Sequence, residues 1–267
     1  MMMMMMIDKT ALMEHVNDRE QQMVLRKVMD MLERVVKYYS IEYTDFLDPY
    51  QRKLCYSIIN RFKDLSFFEE GGLENAEKKS IILYPAYLSR NEIESPIHVL
   101  RVDGSFKFRK VTHRDYLGAI MSLGIKREKI GDILIHENYG NIVTFKEIAD
   151  CIKYNLNMIN KESVSITEVV ATELVEVEEE FVEKVLITFS FRLDVFVSAI
   201  CNLSREKSSS LIKNGYVRVN WQTIDLVSKE VHVDDLISIR GYGRTKISKV
   251  LGKTNKNRNR VLVKIIR

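Results

Sequence analysis

Between residues 190 and 240 the chain carries Arg192, Arg205, Lys207, Lys213, Arg218 and Arg240, with the short polar side chains Ser208 and Asn220 among them. Guanidinium and ammonium groups, joined by a hydroxyl and an amide, are equipped to hold phosphate oxygens rather than to break bonds. From residue 184 to 267 there are 17 Lys and Arg against 6 Asp and Glu, while the remaining chain has 24 against 31. The net charge of +4 therefore hides a basic C-terminal segment joined to an acidic remainder. That asymmetry is the electrostatic footprint of a part that neutralises phosphates and releases their counterions. A second basic group, Lys126, Arg127 and Lys129, follows His113 and Arg114 and is open to two readings, phosphate contact or a solvated loop.

Other chemistry finds little support in the residue types. Cys55, Cys151 and Cys201 are far apart, which suggests reduced thiols rather than a disulfide framework or a zinc knuckle. The five histidines are equally scattered, so no metal and no cofactor is expected; His98 and His136, beside apolar residues, read as packed side chains. The methionine run at residues 1–6 has no basic region before it and meets Asp8 and Lys9 directly, unlike a secretory signal. No stretch is apolar for long enough to span a bilayer. A cytoplasmic monomer without a membrane partner is the expectation.

Three regions must position the basic groups, and the expected class is α+β. Residues 1–80 read as a helical module. Met23, Val24, Val28, Met31, Leu32 and Val35 recur at helical spacing within residues 14–39. Asp48 and Pro49 open a second helix as N-cap and first helical residue, and Gly71 with Gly72 breaks the pattern.

Residues 81–172 read as strand, helix, two strands, helix and strand. Thr112 with Asp115, and Thr144 with Glu147, look like capping boxes opening the two helices, and residues 137–141 supply hairpin chemistry. The order β-α-β-β-α-β is the split arrangement of ferredoxin-like and RNA-recognition folds, here without the usual aromatic stacking signature in sequence. An acidic stretch then holds Glu173, Glu176, Glu178, Glu179, Glu180 and Glu183. It reads either as a linker or as an exposed strand.

Residues 184–267 form the last region. Leu193, Phe196, Val197 and Ile200 line one face of a short helix; Ser204 caps a second helix containing Leu211 and Ile212, and Gly215 ends it. Tyr216 to Asn220 alternates as a strand, and another follows Asp234 and Asp235. All six cations named first are expected on the polar side of this unit. The final GKTNKNRNR stretch reads as a flexible basic tail, with Lys256 and Arg258 of lesser weight.

The segments FRLDVFVSAI, NLSREKSSSLIKNGYVRVN and VDDLISIRGYGR resemble the S-four RNA-binding domain, or αL motif. The resemblance implies RNA contacts at Arg192, Arg205, Ser208, Lys213 and Asn220, and also at Arg218 and Arg240. Trp221 stands where many members have glycine, which implies a wider turn with an exposed stacking surface. Upstream, YPAYL, THRDYLGAIMSLGIKREKIGDILIH and IVTFKEIADCI are similar to the YlmH family of bacterial RNA-binding proteins.

That resemblance implies structured ribosomal RNA as a partner, on the large ribosomal subunit and with tRNA, in quality control of stalled translation. It implies no catalysis. Two alternatives stay open: an RNA-modifying enzyme of pseudouridine synthase or methyltransferase type, and a cell-division scaffold. Against the first, the Arg192-Leu193-Asp194 triplet lacks the Thr-Ser-Gly run of pseudouridine synthases, and no glycine-rich cofactor loop follows a strand.

Overall fold

The computed structural model of the protein describes residues 16, 18–106, 111–178 and 180–266. The methionine run and the expected helix start at Glu14 lie outside them. The chain divides between Val177 and Glu178 into two compact units.

The first unit opens with helix α1 (Arg19–Tyr38), whose Asp18 N-cap accepts hydrogen bonds from the Glu20 and Gln21 amides. Leu25, Val28, Met29, Leu32 and Val35 form its buried stripe. Helix α2 (Pro49–Ile59) starts at an Asp48–Gln51 capping box with proline in the first turn, as its sequence indicates. The segment is not helical throughout. Strands β1 (Glu42–Tyr43), β2 (Leu65–Glu70) and β3 (Ser80–Pro85) form an antiparallel sheet in the order β1-β3-β2. All six residues of β3 are buried, and so short an apolar run has no periodicity to separate strand from helix.

The same unit continues through β4 (Ile97–Gly104), α3 (His113–Ser122), β5 (Ile130–Ile135), β6 (Tyr139–Phe145), α4 (Lys146–Asn155), β7 (Met158–Ile159) and β8 (Glu162–Val169). The sheet order is β5-β6-β4-β8-β7, with every neighbouring pair antiparallel. β6 thus lies between β4 and β5, the split β-α-β arrangement. The Thr112–Asp115 capping box forms at the start of α3.

The second capping box does not form. Thr144 is a buried residue of β6 whose hydroxyl donates to the Lys129 carbonyl, so Phe145 stands at the N-cap of α4 without a side-chain bond. Glu147 instead accepts the Tyr43 hydroxyl at 3.0 Å. The β5–β6 connection is also tighter than expected, because Tyr139, Gly140 and Asn141 already belong to β6 and the His136 amide donates to the Tyr139 carbonyl.

Both faces of this sheet are occupied at its centre. Leu100 and Val102 of β4 and Ile142 of β6 face the helix side with Tyr116, Ile120, Ala149 and Ile152. Ile97, Val99, Val143 and Phe145 point the other way and meet Phe46 and Leu174, with Tyr43 and Leu73 beside them. Phe46 and Phe145 have ring centroids 4.5 Å apart. The Asp132 carboxylate adds a polar clasp, accepting the Glu77 and Lys78 amides at 2.6 and 3.0 Å.

The second unit is a six-stranded antiparallel sheet with two helices. Its elements are β9 (Phe181–Thr188), α5 (Leu193–Cys201), α6 (Arg205–Lys213), β10 (Val217–Val219), β11 (Gln222–Thr223), β12 (Leu236–Ile239), β13 (Gly243–Lys253) and β14 (Asn259–Ile266), and the sheet order is β11-β10-β12-β13-β14-β9. Leu193, Phe196, Val197 and Ile212 of the helices bury against Val217, Val219, Ile237, Ile239, Ile247, Val261 and Val263 of the strands. The acidic stretch resolves into both readings: a linker first, then β9, which pairs with β14 along its whole length.

Two expectations change here. The GKTNKNRNR stretch is not a flexible tail but the turn of the β13–β14 hairpin, closed by the Thr254 amide donating to the Arg258 carbonyl at 2.8 Å. The turn at Trp221 is tight rather than wide. Asn220 and Trp221 join paired Val219 and Gln222 with φ of 49° and 66°, the left-handed pair of a two-residue hairpin.

Gly131 of β5 lies so close to Phe46 that an added Cβ would sit 2.7 Å from its ring. Gly131→Ala is expected to destabilise the first unit by roughly 1–3 kcal/mol through overpacking, read as a lower urea midpoint. An unchanged midpoint would show that Phe46 yields freely.

Candidate nucleic-acid interface

The site in the second unit is built around one buried carboxylate. The Asp194 side chain is only 3% exposed, yet Arg192 Nε lies 3.0 Å from one oxygen and Arg205 Nη2 2.7 Å from the other. Arg192 is the N-cap of α5 and Arg205 the first residue of α6, so one acid ties the starts of both helices together. The backbone holds the same point: the Leu193 amide donates to the Lys229 carbonyl at 2.7 Å and the Val231 amide to the Phe191 carbonyl at 2.8 Å.

Burial alone would raise the Asp194 pKa, but the hydrogen bonds and charges of Arg192 and Arg205 outweigh it and leave the group below the ordinary carboxylate value. The acid stays ionised, and it orients the arginines while leaving most of Arg205 in water, since that side chain is 65% exposed. Lys207 and Lys213, at the start and end of α6, are exposed. Arg192 and Arg205 thus meet at Asp194 on the helix layer, while Lys207 and Lys213 are exposed at other positions of α6.

Arg218 and Arg240 do not join them. In β10, Val217 and Val219 face the helices, so Arg218 points to the opposite side of the sheet. Arg240 follows β12 and lies over the Tyr216 ring at 5.3 Å. The single polar side expected from the sequence is therefore two surfaces, one on the helices and one on the sheet.

Two expected contact residues have partners within the fold. Ser208 is fully buried, with its hydroxyl donating to the Ser204 carbonyl at 2.9 Å; helix packing has turned it away from solvent. Asn220 shapes its turn, donating from Nδ2 to Asp235 at 2.7 Å and accepting the Leu236 amide at 2.9 Å. Asp235 in turn accepts the His232 amide. The Asn and Asp of the sequence motif thus lock two turns to each other.

The basic group of the middle domain is a packed turn instead of a loop. Lys129 pairs with Asp45 at 3.1 Å, and Asp45 also accepts Lys27 at 2.8 Å. Arg127 donates to the Ile130 carbonyl at 2.6 Å, and burial lowers its pKa. Only Lys126 of the three is exposed. Lys129 joins this turn to the β1–α2 connection, a tertiary contact that spacing along the chain does not reveal, and Arg127 closes the turn itself.

Elsewhere on that sheet stands an aromatic stack that sequence reading missed. His136 and Tyr139 have ring centroids 4.3 Å apart, and the Arg101 guanidinium lies 3.8 Å over Tyr139 while bonded to Asp103. Burial lowers the His136 pKa, opposed by a hydrogen bond with Asn141 and aided by the Arg101 charge, which favours the neutral ring. His136 and Tyr139 are close together in the β5–β6 hairpin, but Arg101 comes from β4, so only strand register could have placed its guanidinium over the ring. Among the described residues no cluster of His, Cys, Asp and Glu could hold a metal ion.

The Asp194 geometry has measurable consequences. A carboxylate with a lowered folded pKa contributes stability that is fully present above the ordinary value of about 4 and is lost as pH falls through the lowered one. Asp194→Asn is expected to cost roughly 2–4 kcal/mol at pH 7, and the gap to wild type should close on acidification below about pH 4. Urea unfolding across pH reads this directly, and a gap independent of pH would mean that Asp194 acts through shape alone.

Because Arg205 also holds Asp194, Arg205→Ala should lose RNA affinity and stability together. Lys207→Gln and Lys213→Gln separate the two effects. Each should weaken RNA binding by roughly 1 kcal/mol without moving the unfolding midpoint.

Comparison with known proteins matches all three regions. The N-terminal YlmH model covers residues 20–88, the YlmH RNA-binding-domain model residues 91–173 and the S4 domain model residues 191–237. A Bacillus subtilis (strain 168) protein named "Ribosome-associated protein quality control protein P2" is 34% identical over 233 residues, covering 85% of this chain and 88% of the relative. The solved structure "Cell division protein ylmH from Streptococcus pneumoniae" aligns with a TM-score of 0.52 and 28% identity, over 60% of this chain and 96% of that one. With the domain order, the helix-start arginines and this identity in agreement, the chain belongs to the YlmH family of RNA-binding proteins with a C-terminal S4 domain.

Proposed function

We propose that the protein is a non-catalytic factor that binds structured ribosomal RNA on the large ribosomal subunit, together with tRNA, during quality control of stalled translation. The observation that carries this reading is the pair of arginines held by buried Asp194 at the starts of α5 and α6, with Lys207 and Lys213 also exposed on α6. Guanidinium groups fixed in place before binding lose little freedom when they meet phosphate, whereas free side chains must first be ordered. The ribosomal setting is supported by the name of the Bacillus subtilis relative.

In the middle domain the stack of His136, Tyr139 and Arg101 suits RNA better than the Arg127–Lys129 turn, because rings and a guanidinium offer planes to unpaired bases. Two such surfaces in one chain raise the effective concentration of the second once the first is bound, so a composite of ribosomal RNA and tRNA can be selected by sites that are weak alone. The protein contributes position and charge, and another factor works on the nascent chain.

Sedimentation of cell extract through sucrose gradients at low salt tests this. The protein should travel with free large subunits, and more of it should do so when stalling is induced. Recovery only at the top of the gradient, with stalling confirmed, would overturn the ribosomal reading.

A further inference from the structure

The basic excess of the second unit is unevenly placed. Residues 243–266 hold eight Lys and Arg and no Asp or Glu, whereas residues 178–242 hold eight against ten. The first stretch is the β13–β14 hairpin, ordered in pairs from Arg244 and Ile266 out to Lys253 and Asn259, and it lies beyond the residues matched to the S4 domain.

Strand register sets where these charges point. Ile247 and Val263 pair in the core, and Lys246 and Lys264 pair directly on the opposite face. Glu183 of β9 stands directly opposite Lys264 and Asp234 approaches Lys246, so this pair of like charges is already compensated within the sheet. A register shift between Ile247 and Lys249 then places Lys249 opposite Leu262, on the face of Lys246 and Lys264. In an unbulged strand Lys249 would point to the core side, so the extra residue, Ser248, re-aims it. Further along, Gly252 pairs with Arg260 on that same face.

The row continues across the sheet, because Arg244 pairs with Ser238 and Ser238 with Arg218. Lys246 has Asp234 at 3.6 Å and Lys264 lies 4.0 Å over Phe181. Among the described residues, Lys249, Lys253, Lys256 and Arg260 are exposed and have no carboxylate partner. They are committed to nothing within the fold.

We propose that the sheet face opposite α5 and α6, with the β13–β14 hairpin as its arm, is a second phosphate-binding surface that holds the backbone of duplex RNA without reading sequence. The proposal rests on the RNA-binding reading above and adds a surface to it. An 11-residue strand spans about 35 Å, so the ribbon can follow a run of phosphates along an RNA helix whose deep major groove bars side chains from the bases.

The test measures binding of a labelled RNA stem-loop by the full chain across a range of salt. The hairpin variant carries Lys249→Gln, Lys253→Gln, Lys256→Gln and Arg260→Gln. A control with equal charge loss carries Lys37→Gln, Lys53→Gln, Lys63→Gln and Lys161→Gln, all exposed residues of the first unit. The hairpin variant should bind at least about tenfold more weakly at low salt, with a log–log salt slope shallower by about 3, while the control stays close to wild type. Should the quadruple variant lose its native circular dichroism, Lys249→Gln alone gives the readout, with a slope shallower by about 1.

Equal losses in both variants would overturn the arm in favour of overall charge. A hairpin variant that binds like wild type would overturn it while leaving the helix surface intact as the RNA site. No salt-dependent binding by the wild type would sink both readings. Binding of the wild type to phosphatidylglycerol vesicles, lost in the hairpin variant while RNA binding is kept, would reassign the arm to an anionic membrane surface.

Discussion

A buried, ionised Asp194 is the constraint around which the second unit is arranged. An unpaired carboxylate at that depth would be strongly unfavourable, so the fold must deliver two cations to it. It does so by starting α5 at Arg192 and α6 at Arg205, which fixes the turn between the helices and the direction in which both guanidinium groups face. Packing of Leu193, Phe196, Val197 and Ile212 on the sheet keeps the acid dry. One ion triad thus joins the apolar core, the angle between the helices and the position of the arginines at the surface.

The first unit spends its charge differently. Its middle sheet has the split β-α-β topology common among RNA-recognition folds, yet the centre of its non-helical face is filled by Phe46, Leu174, Tyr43 and Leu73. Topology alone therefore does not assign a binding face. Lys129 and Arg127 look available along the sequence but are engaged by Asp45 and by the Ile130 carbonyl. Two thiols follow the same logic, since burial pushes Cys55 up to about 12 and Cys201 up to about 11, leaving them poor nucleophiles at neutral pH.

The distribution of charge gives the second unit two faces with different characters. On the helix layer two arginines are held by one acid, which suits a geometrically specific contact. On the sheet face Lys249 and Arg260 are exposed without a carboxylate partner among the described residues, which suits counterion release along a backbone. Both surfaces grow from the same core, because side chains alternate across the strands and the residues that do not bury against the helices must point away from them.

Local signals in the sequence determined where most helices begin. Asp18, Asp48, Thr112 and Ser204 each cap as their side-chain chemistry requires, because an N-cap bond is made within three residues and needs no distant partner. The order of strands and helices in the middle domain, and the motif carrying Arg192 and Arg205, were legible for the same reason. What only the tertiary structure decided is which polar groups remain free. Thr144 turned inward to the turn before β5, Ser208 to its own helix, Asn220 to Asp235, and Lys129 to Asp45. The basic tail became a hairpin because β14 found partners in both β13 and β9. Each outcome depends on a group brought near by folding or on the solvent that folding excludes, and neither is written in the spacing of residues along the chain.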